Sequence, residues 1–228
     1  AIPGSTGITI NGSINSVVVS SSALTLNSGG AIIVTGNIGT MTPLSALSIS
    51  GATITLPASV TTSGAQTYTG ATSFESATTL TTTNSAVTFG SILDAVNHDS
   101  LTINAGTGAV SFTGAVGASS ILGGLTINAG SVTSSAVLRS NQGLSINSTG
   151  SANNIILSGL ITNTGGIGTG IVVEAEGNVT LAGITNSGSL GIRVTGGYGI
   201  AAGTIAGGTI TDLGTVTNTG GHIAVSMS

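Results

Sequence analysis

The sequence predicts an all-β solenoid of about ten turns, each built from three short strands and stacked in parallel along one axis. Three observations lead there. A short β-type phrase recurs along the chain: Leu24-Thr25-Leu26-Asn27, Leu47-Ser48-Ile49-Ser50, Leu101-Thr102-Ile103-Asn104, Leu125-Thr126-Ile127-Asn128 and Leu144-Ser145-Ile146-Asn147. A unit of this length buries its apolar side only by stacking on its neighbours. Charged residues make up only 4% of the chain, yet its mean hydropathy is +0.57, which separates it from low-charge disordered sequences. Helix signals are nearly absent, because Gly or β-branched residues interrupt every amphipathic window.

The strands follow from period-two alternation. Ile8-Thr9-Ile10, Thr53-Ile54-Thr55-Leu56, Val87-Thr88-Phe89, Val110-Ser111-Phe112 and residues 171–176 alternate apolar with small polar or outward residues. Gly-Gly, Asn-Gly and Ser-Gly pairs between them are turn punctuation. The longer phrases recur after 23 residues from Leu24 to Leu47, 24 from Leu101 to Leu125 and 19 from Leu125 to Leu144, which suits one turn of three short strands.

A longer copy overlies these phrases. Residues 31–50 align with 109–128 at a constant offset of 78, placing Gly at 36 and 114, Gly at 39 and 117, Leu at 44 and 122, and Leu at 47 and 125. A third, partial copy over 86–104 is one residue shorter and holds Asp94, His98 and Asp99 where the others have small or apolar residues. Near residue 153 the phrasing shifts to N-x-x-L-x-G followed by Ile-Thr-Asn-x-Gly, as in 154–166 and 178–189. No linker divides the two styles, so residues 1–228 are read as one solenoid domain.

Composition excludes several function classes. The only cations besides two histidines are Arg139 and Arg193 and the net charge is −4, so no basic surface exists for nucleic acid. Lysine is absent, which removes Schiff-base lysines, P-loops and polybasic membrane patches. With no cysteine there are no disulfides and no thiolate metal sites. The chain opens Ala1-Ile2-Pro3-Gly4 with no signal peptide, as expected of a mature or excised form if it is exported. Residues 196–211 are uncharged with Gly199, Gly203 and Gly207 at the spacing of a membrane-helix interface, but residues 1–74 are equally uncharged. The stretch is therefore read as a strand-rich turn and no membrane insertion is expected.

Chemistry-bearing residues are few. The acidic residues are Glu75, Asp94, Asp99, Glu174, Glu176 and Asp212, and no G-x-S-x-G surrounds any serine, so no catalytic residue is assigned and the chain is not read as an enzyme. Asp94, His98 and Asp99 form one concentrated group, a candidate metal or acid–base site or else a solvated corner. Glu174 and Glu176 form another, on the outer face of one strand roughly 7 Å apart. Gly165-Gly166-Ile167-Gly168 begins like a calcium nonapeptide, but Gly170 stands where its Asp belongs. No metal and no cofactor is expected. Asn104, Asn128 and Asn147 close equivalent strands and are candidates for a stacked amide ladder.

The phrases of residues 108–117, 60–70 and 177–183 resemble the repeats of giant bacterial exoproteins: filamentous-haemagglutinin-type adhesins, β-strand-repeat surface proteins and, more distantly, autotransporter passengers. The resemblance spans most of the chain. It implies a right-handed parallel β-helix, export across the outer membrane, an extracellular or cell-surface location, and adhesion or biofilm structure. That family's amino-terminal secretion domain carries an Asn-Pro-containing motif, which this sequence lacks, so a repeat section or processed fragment is expected. The adhesion ligand is not encoded in any recognisable pattern.

Three alternatives stand beside adhesion. A solenoid without charged caps presents open edges at both ends, so self-association into a head-to-tail filament is expected. Ice binding draws on Thr-x-Thr pairs at 53/55, 67/69, 79/81/83, 209/211 and 215/217/219. A glycan-active β-helix enzyme is the last, and would need carboxylates gathered on one face.

Overall fold

In the computed structural model the described residues are 6–149, 154–166, 169–188, 192–196, 199–207, 217–218 and 223–226. Every element among them is a strand, and every strand pairing is parallel. The chain winds as a β-solenoid with three faces. An eight-stranded sheet forms one of them, and a 15-stranded sheet wraps the other two. It does so because long strands such as Ala46–Leu56, Gln66–Phe74 and Asn178–Asn186 run across the corner from one face to the next.

The register shows how the turns stack. On the third face Val60, Leu80, Ile103, Ile127, Ile146, Val173 and Val194 lie one above another. Bridges from Ile14 to Ile38 and from Ile38 to Val60 extend the same column toward the start of the chain. One turn takes 19 residues between Ile127 and Ile146 but 27 between Ile146 and Val173. The strands keep their register while the corners absorb the difference. Eight strands on this face count about eight turns, and the two bridges bring the stack close to the ten expected.

Alternation decides which side chains enter the core. In Leu101–Asn104, Leu101 and Ile103 point in and are fully buried, while Thr102 and Asn104 point out. Gly196–Thr211 follows the strand reading as far as it is described, since Gly199–Gly207 is one long strand. The first face contains a ring stack: Tyr68, Phe89 and Phe112 occupy one column, with centroids 5.0 and 5.4 Å apart and planes within 19° and 6°. The Tyr68 hydroxyl donates to Gln66 Oε1 at 2.9 Å, and Gln66 Nε2 donates to the Thr81 carbonyl at 2.9 Å and to Thr62 Oγ1 at 3.2 Å. Buried polar groups here satisfy one another instead of opposing burial.

The recurrent phrase does not mark one face. Leu24 pairs with Leu47 on the first face, whereas Leu101, Leu125 and Leu144 stack on the third. A strand needs only in–out alternation, so the same four residues serve either face. The 78-residue copies behave alike: Gly39 and Gly117 share left-handed φ values of 68° and 70°, and Leu44 and Leu122 are both buried. Added Cβ atoms there would lie 2.0 Å from the Thr61 carbonyl oxygen and 2.6 Å from that of Arg139. The corner geometry is thus conserved between the copies while its position around the axis is not: Ile38 stacks on Val60 of the third face, Val116 on Leu138 of the second.

Two outcomes follow. Phe89→Ala opens a hole between two rings and should lower stability by about 3–5 kcal/mol in urea denaturation, with Phe89→Leu costing under about 1.5 kcal/mol. Burial pushes the Tyr68 phenol well above its ordinary value. The neutral phenol's contribution is intact below the unfolded value of about 10 and declines as pH rises above it, because the unfolded chain then releases a proton the folded chain keeps. In Tyr198→Phe, where Tyr68 is the sole tyrosine, tyrosinate absorbance should appear together with unfolding and not near pH 10.

Candidate functional site

Asp94 lies between buried Leu93 and Ala95 and therefore faces outward. Its Oδ1 accepts the backbone N–H groups of Ser119 and Ser120 at 3.1 and 3.3 Å, on the loop of the next turn. His98 adopts a left-handed φ of 57° and its Nδ1 is 2.8 Å from the Ile121 carbonyl, again one turn on. The Asp99 carbonyl accepts the Gly123 N–H at 2.9 Å. Each of the three is thus tied to the following turn. Among the described residues, no trio of His, Asp or Glu converges to hold a metal.

Glu174 and Glu176 part company. Ile171, Val173 and Ala175 point inward, and half-buried Glu174 places Oε1 2.5 Å from an Arg193 guanidinium nitrogen on the next turn. Glu176 follows the end of the strand and is exposed. Asp212 lies outside the described residues.

Asn104, Asn128 and Asn147 occupy successive positions of one column. Asn128 Nδ2 donates to Asn104 Oδ1 at 2.9 Å on the exposed side. A second amide stack, which sequence reasoning missed, lies inside. Asn163 and Asn186 are in register, buried, and joined by a 2.8 Å bond from Asn163 Nδ2 to Asn186 Oδ1. Asn163 Oδ1 also accepts the N–H groups of Gly143 and Gly165 at 3.2 and 3.3 Å. Parity was the available signal: in Leu-Thr-Ile-Asn the Asn alternates outward, whereas in Ile-Thr-Asn it shares the inward parity of Ile.

The outward surface is ordered by hydroxyls across turns. Ser48, Thr67, Thr88, Ser111 and Thr133 form one column, and Ser59, Thr79, Thr102, Thr126 and Ser145 form another. The Thr-x-Thr pairs read within single strands lie instead on three different faces: 53/55 on the second, 67/69 on the first, 79/81 on the third. The pair 209/211 and Thr215 and Thr219 of the last group fall outside the described residues. A shallow depression of about 270 Å³ opens on the third face beside Gly124, Thr126, Gln142, Gly143 and Gly170, and no ionisable side chain lines it. Searches of protein-family models, curated proteins and solved structures find no match to this chain.

The two amide stacks should respond differently to truncation. Asn163→Ala strands several buried partners and should cost about 2–3 kcal/mol in denaturant unfolding, whereas Asn104→Ala should stay within about 0.5 kcal/mol.

Proposed function

We propose that this chain is an extracellular structural and adhesive β-solenoid, a repeat section of a bacterial surface adhesin or biofilm-matrix exoprotein. The observation that supports this most is the pair of outward Ser/Thr columns running across successive turns, above a core stacked in the same register. Such a surface offers many weak, repeated hydrogen-bonding groups along a stiff rod and few charges. The axial backbone ladders resist extension, and Val, Ile and Leu exclude water from the interior. The test is retention of bacterial cells under flow on a surface coated with the purified chain. The reading expects retention well above an albumin coating, and equal retention on both would refute it.

A second reading, head-to-tail filament assembly, is favoured by the first turn. Ile8, Ile10, Ile14, Leu24 and Leu26 pack against the core but are only partly buried. Among the described residues Ile223–Ser226 pairs with Gly199–Gly207 alone. An open parallel edge over an apolar core is a template for the edge of a second copy. Electron microscopy at neutral pH should show filaments that Leu24→Asp shortens or abolishes; separate rods on the order of 40–50 Å at all concentrations would rule assembly out.

A further inference from the structure

The chain contains one Asn-Gly pair, Asn11-Gly12, in the corner that follows the strand Ile8–Ile10. Asn11, Gly12 and Ser13 are all exposed. A Cβ added to Gly12 would meet nothing within 4 Å, so the space beside this peptide is open. Its carbonyl side is packed, because a Cβ on Gly36 of the next turn would lie 2.3 Å from the Gly12 carbonyl carbon and oxygen. Among the described residues no acceptor takes the Gly12 N–H. There the Asn11 side chain meets only the Thr35 hydroxyl, 3.5 Å from Oδ1, a contact too long to hold the amide in place.

The other asparagines stand in a different setting. Each precedes a residue that carries a Cβ. The N–H that follows is commonly engaged as well. Ser28 after Asn27 donates to the Ser50 carbonyl at 2.9 Å, Ile38 after Asn37 to that of Ser59 at 3.0 Å, and Ala105 after Asn104 to that of Asn128 at 2.8 Å. Several amides are tied too: Asn15 Oδ1 accepts two backbone N–H groups, and Asn163 and Asn186 are buried against each other. An unengaged main-chain nitrogen, a following residue without Cβ and a mobile, exposed amide come together at Asn11 alone among these.

We infer that Asn11 is a site of spontaneous deamidation, with water as the only co-reactant. The Gly12 nitrogen, having lost its proton, attacks Asn11 Cγ. The N–Cγ bond forms, the Cγ–Nδ2 bond breaks, and the side-chain nitrogen takes up a proton and leaves as ammonia. Water then opens the cyclic imide. Addition at Cγ gives aspartate in the ordinary chain, and addition at the main-chain carbonyl carbon gives isoaspartate, which routes the backbone through one more carbon. Nothing is oxidised or reduced. Either product places a carboxylate where residues 1–74 hold no charge. Isoaspartate also lengthens the path between Ile10, in register with Val34, and Ile14, which bridges to Ile38. With Gly12 packed under Gly36, that longer path loosens the docking of the first turn. The first turn thus acquires charge and loses packing as the chain ages, whatever the chain adheres to.

The test is incubation of the folded full chain in heavy-oxygen water, in mildly acidic and in mildly alkaline buffer, followed by peptic digestion and mass spectrometry with electron-transfer fragmentation. The peptide containing Asn11 should gain the mass of the acid and one heavy oxygen, as a mixture of aspartate and isoaspartate. It should do so sooner in alkaline buffer, because the attacking nitrogen must first lose its proton. Asn128, exposed and followed by Ala129, should convert many-fold more slowly in the same sample. Gly12→Ala has open space for its methyl group, so it should unfold at the parent's temperature yet slow conversion at Asn11 many-fold. A synthetic peptide of residues 6–17 supplies the rate without the fold. An intact Asn11 in the folded chain after the peptide has converted would overturn the assignment, as would equal rates at Asn11 and Asn128 or equal rates in the parent and Gly12→Ala.

Discussion

Everything in this molecule depends on parallel, in-register stacking of one turn upon the next. Along the axis each residue meets its own equivalents about 4.8 Å away, so whatever occupies a column is repeated against itself. Apolar columns benefit, as do rings, hydroxyls and amides: Phe89 faces Phe112, Thr102 faces Thr126, Asn163 faces Asn186. Charges do not. Like charges at that spacing repel by on the order of 1–3 kcal/mol between surface and semi-buried limits. This accounts physically for a chain with only 4% charged residues, and for the ion pair of Glu174 with Arg193, which joins opposite charges on adjacent turns.

Stacking also explains where the chain varies. Strand registers are held through the columns, so insertions and deletions collect at corners, and turns range from 18 to 27 residues between equivalent positions. Corners are where polar side chains tie one turn to the next, as Asp94 does through the amides of Ser119 and Ser120 and Asn15 through those of Met41 and Thr42. The structural and adhesive reading rests on the faces.

Much of the fold was legible because period-two alternation is local. Leu101 to Asn104 can be read as in, out, in, out from four residues, and the structure places them so. The copies at 39 and 117 signalled a shared corner, and both glycines adopt the same left-handed backbone. What alternation cannot carry is the face: Leu47 and Leu125 share a phrase but not a column, because nothing in four residues counts position around the axis. The candidate groups show the same boundary. Asp94, His98 and Asp99 are close in sequence, yet each is tied to the next turn. The Thr-x-Thr pairs show the same limit, since 53/55, 67/69 and 79/81 lie on three different faces while hydroxyls align from turn to turn.

The register itself is open to direct chemical measurement, because the chain contains no cysteine of its own. Thr102 and Thr126 are in-register partners on the outward side of adjacent turns, within the Cα separation a disulfide spans. The double variant Thr102→Cys/Thr126→Cys should close an intramolecular disulfide readily under mild oxidation, with no loss of thermal stability. The variant Thr102→Cys/Asn128→Cys, displaced by two residues and beyond about 7 Å, should remain reduced under the same conditions. Preferential closure of the displaced pair, or failure of the in-register pair to close, would contradict the parallel stack on which the whole account stands.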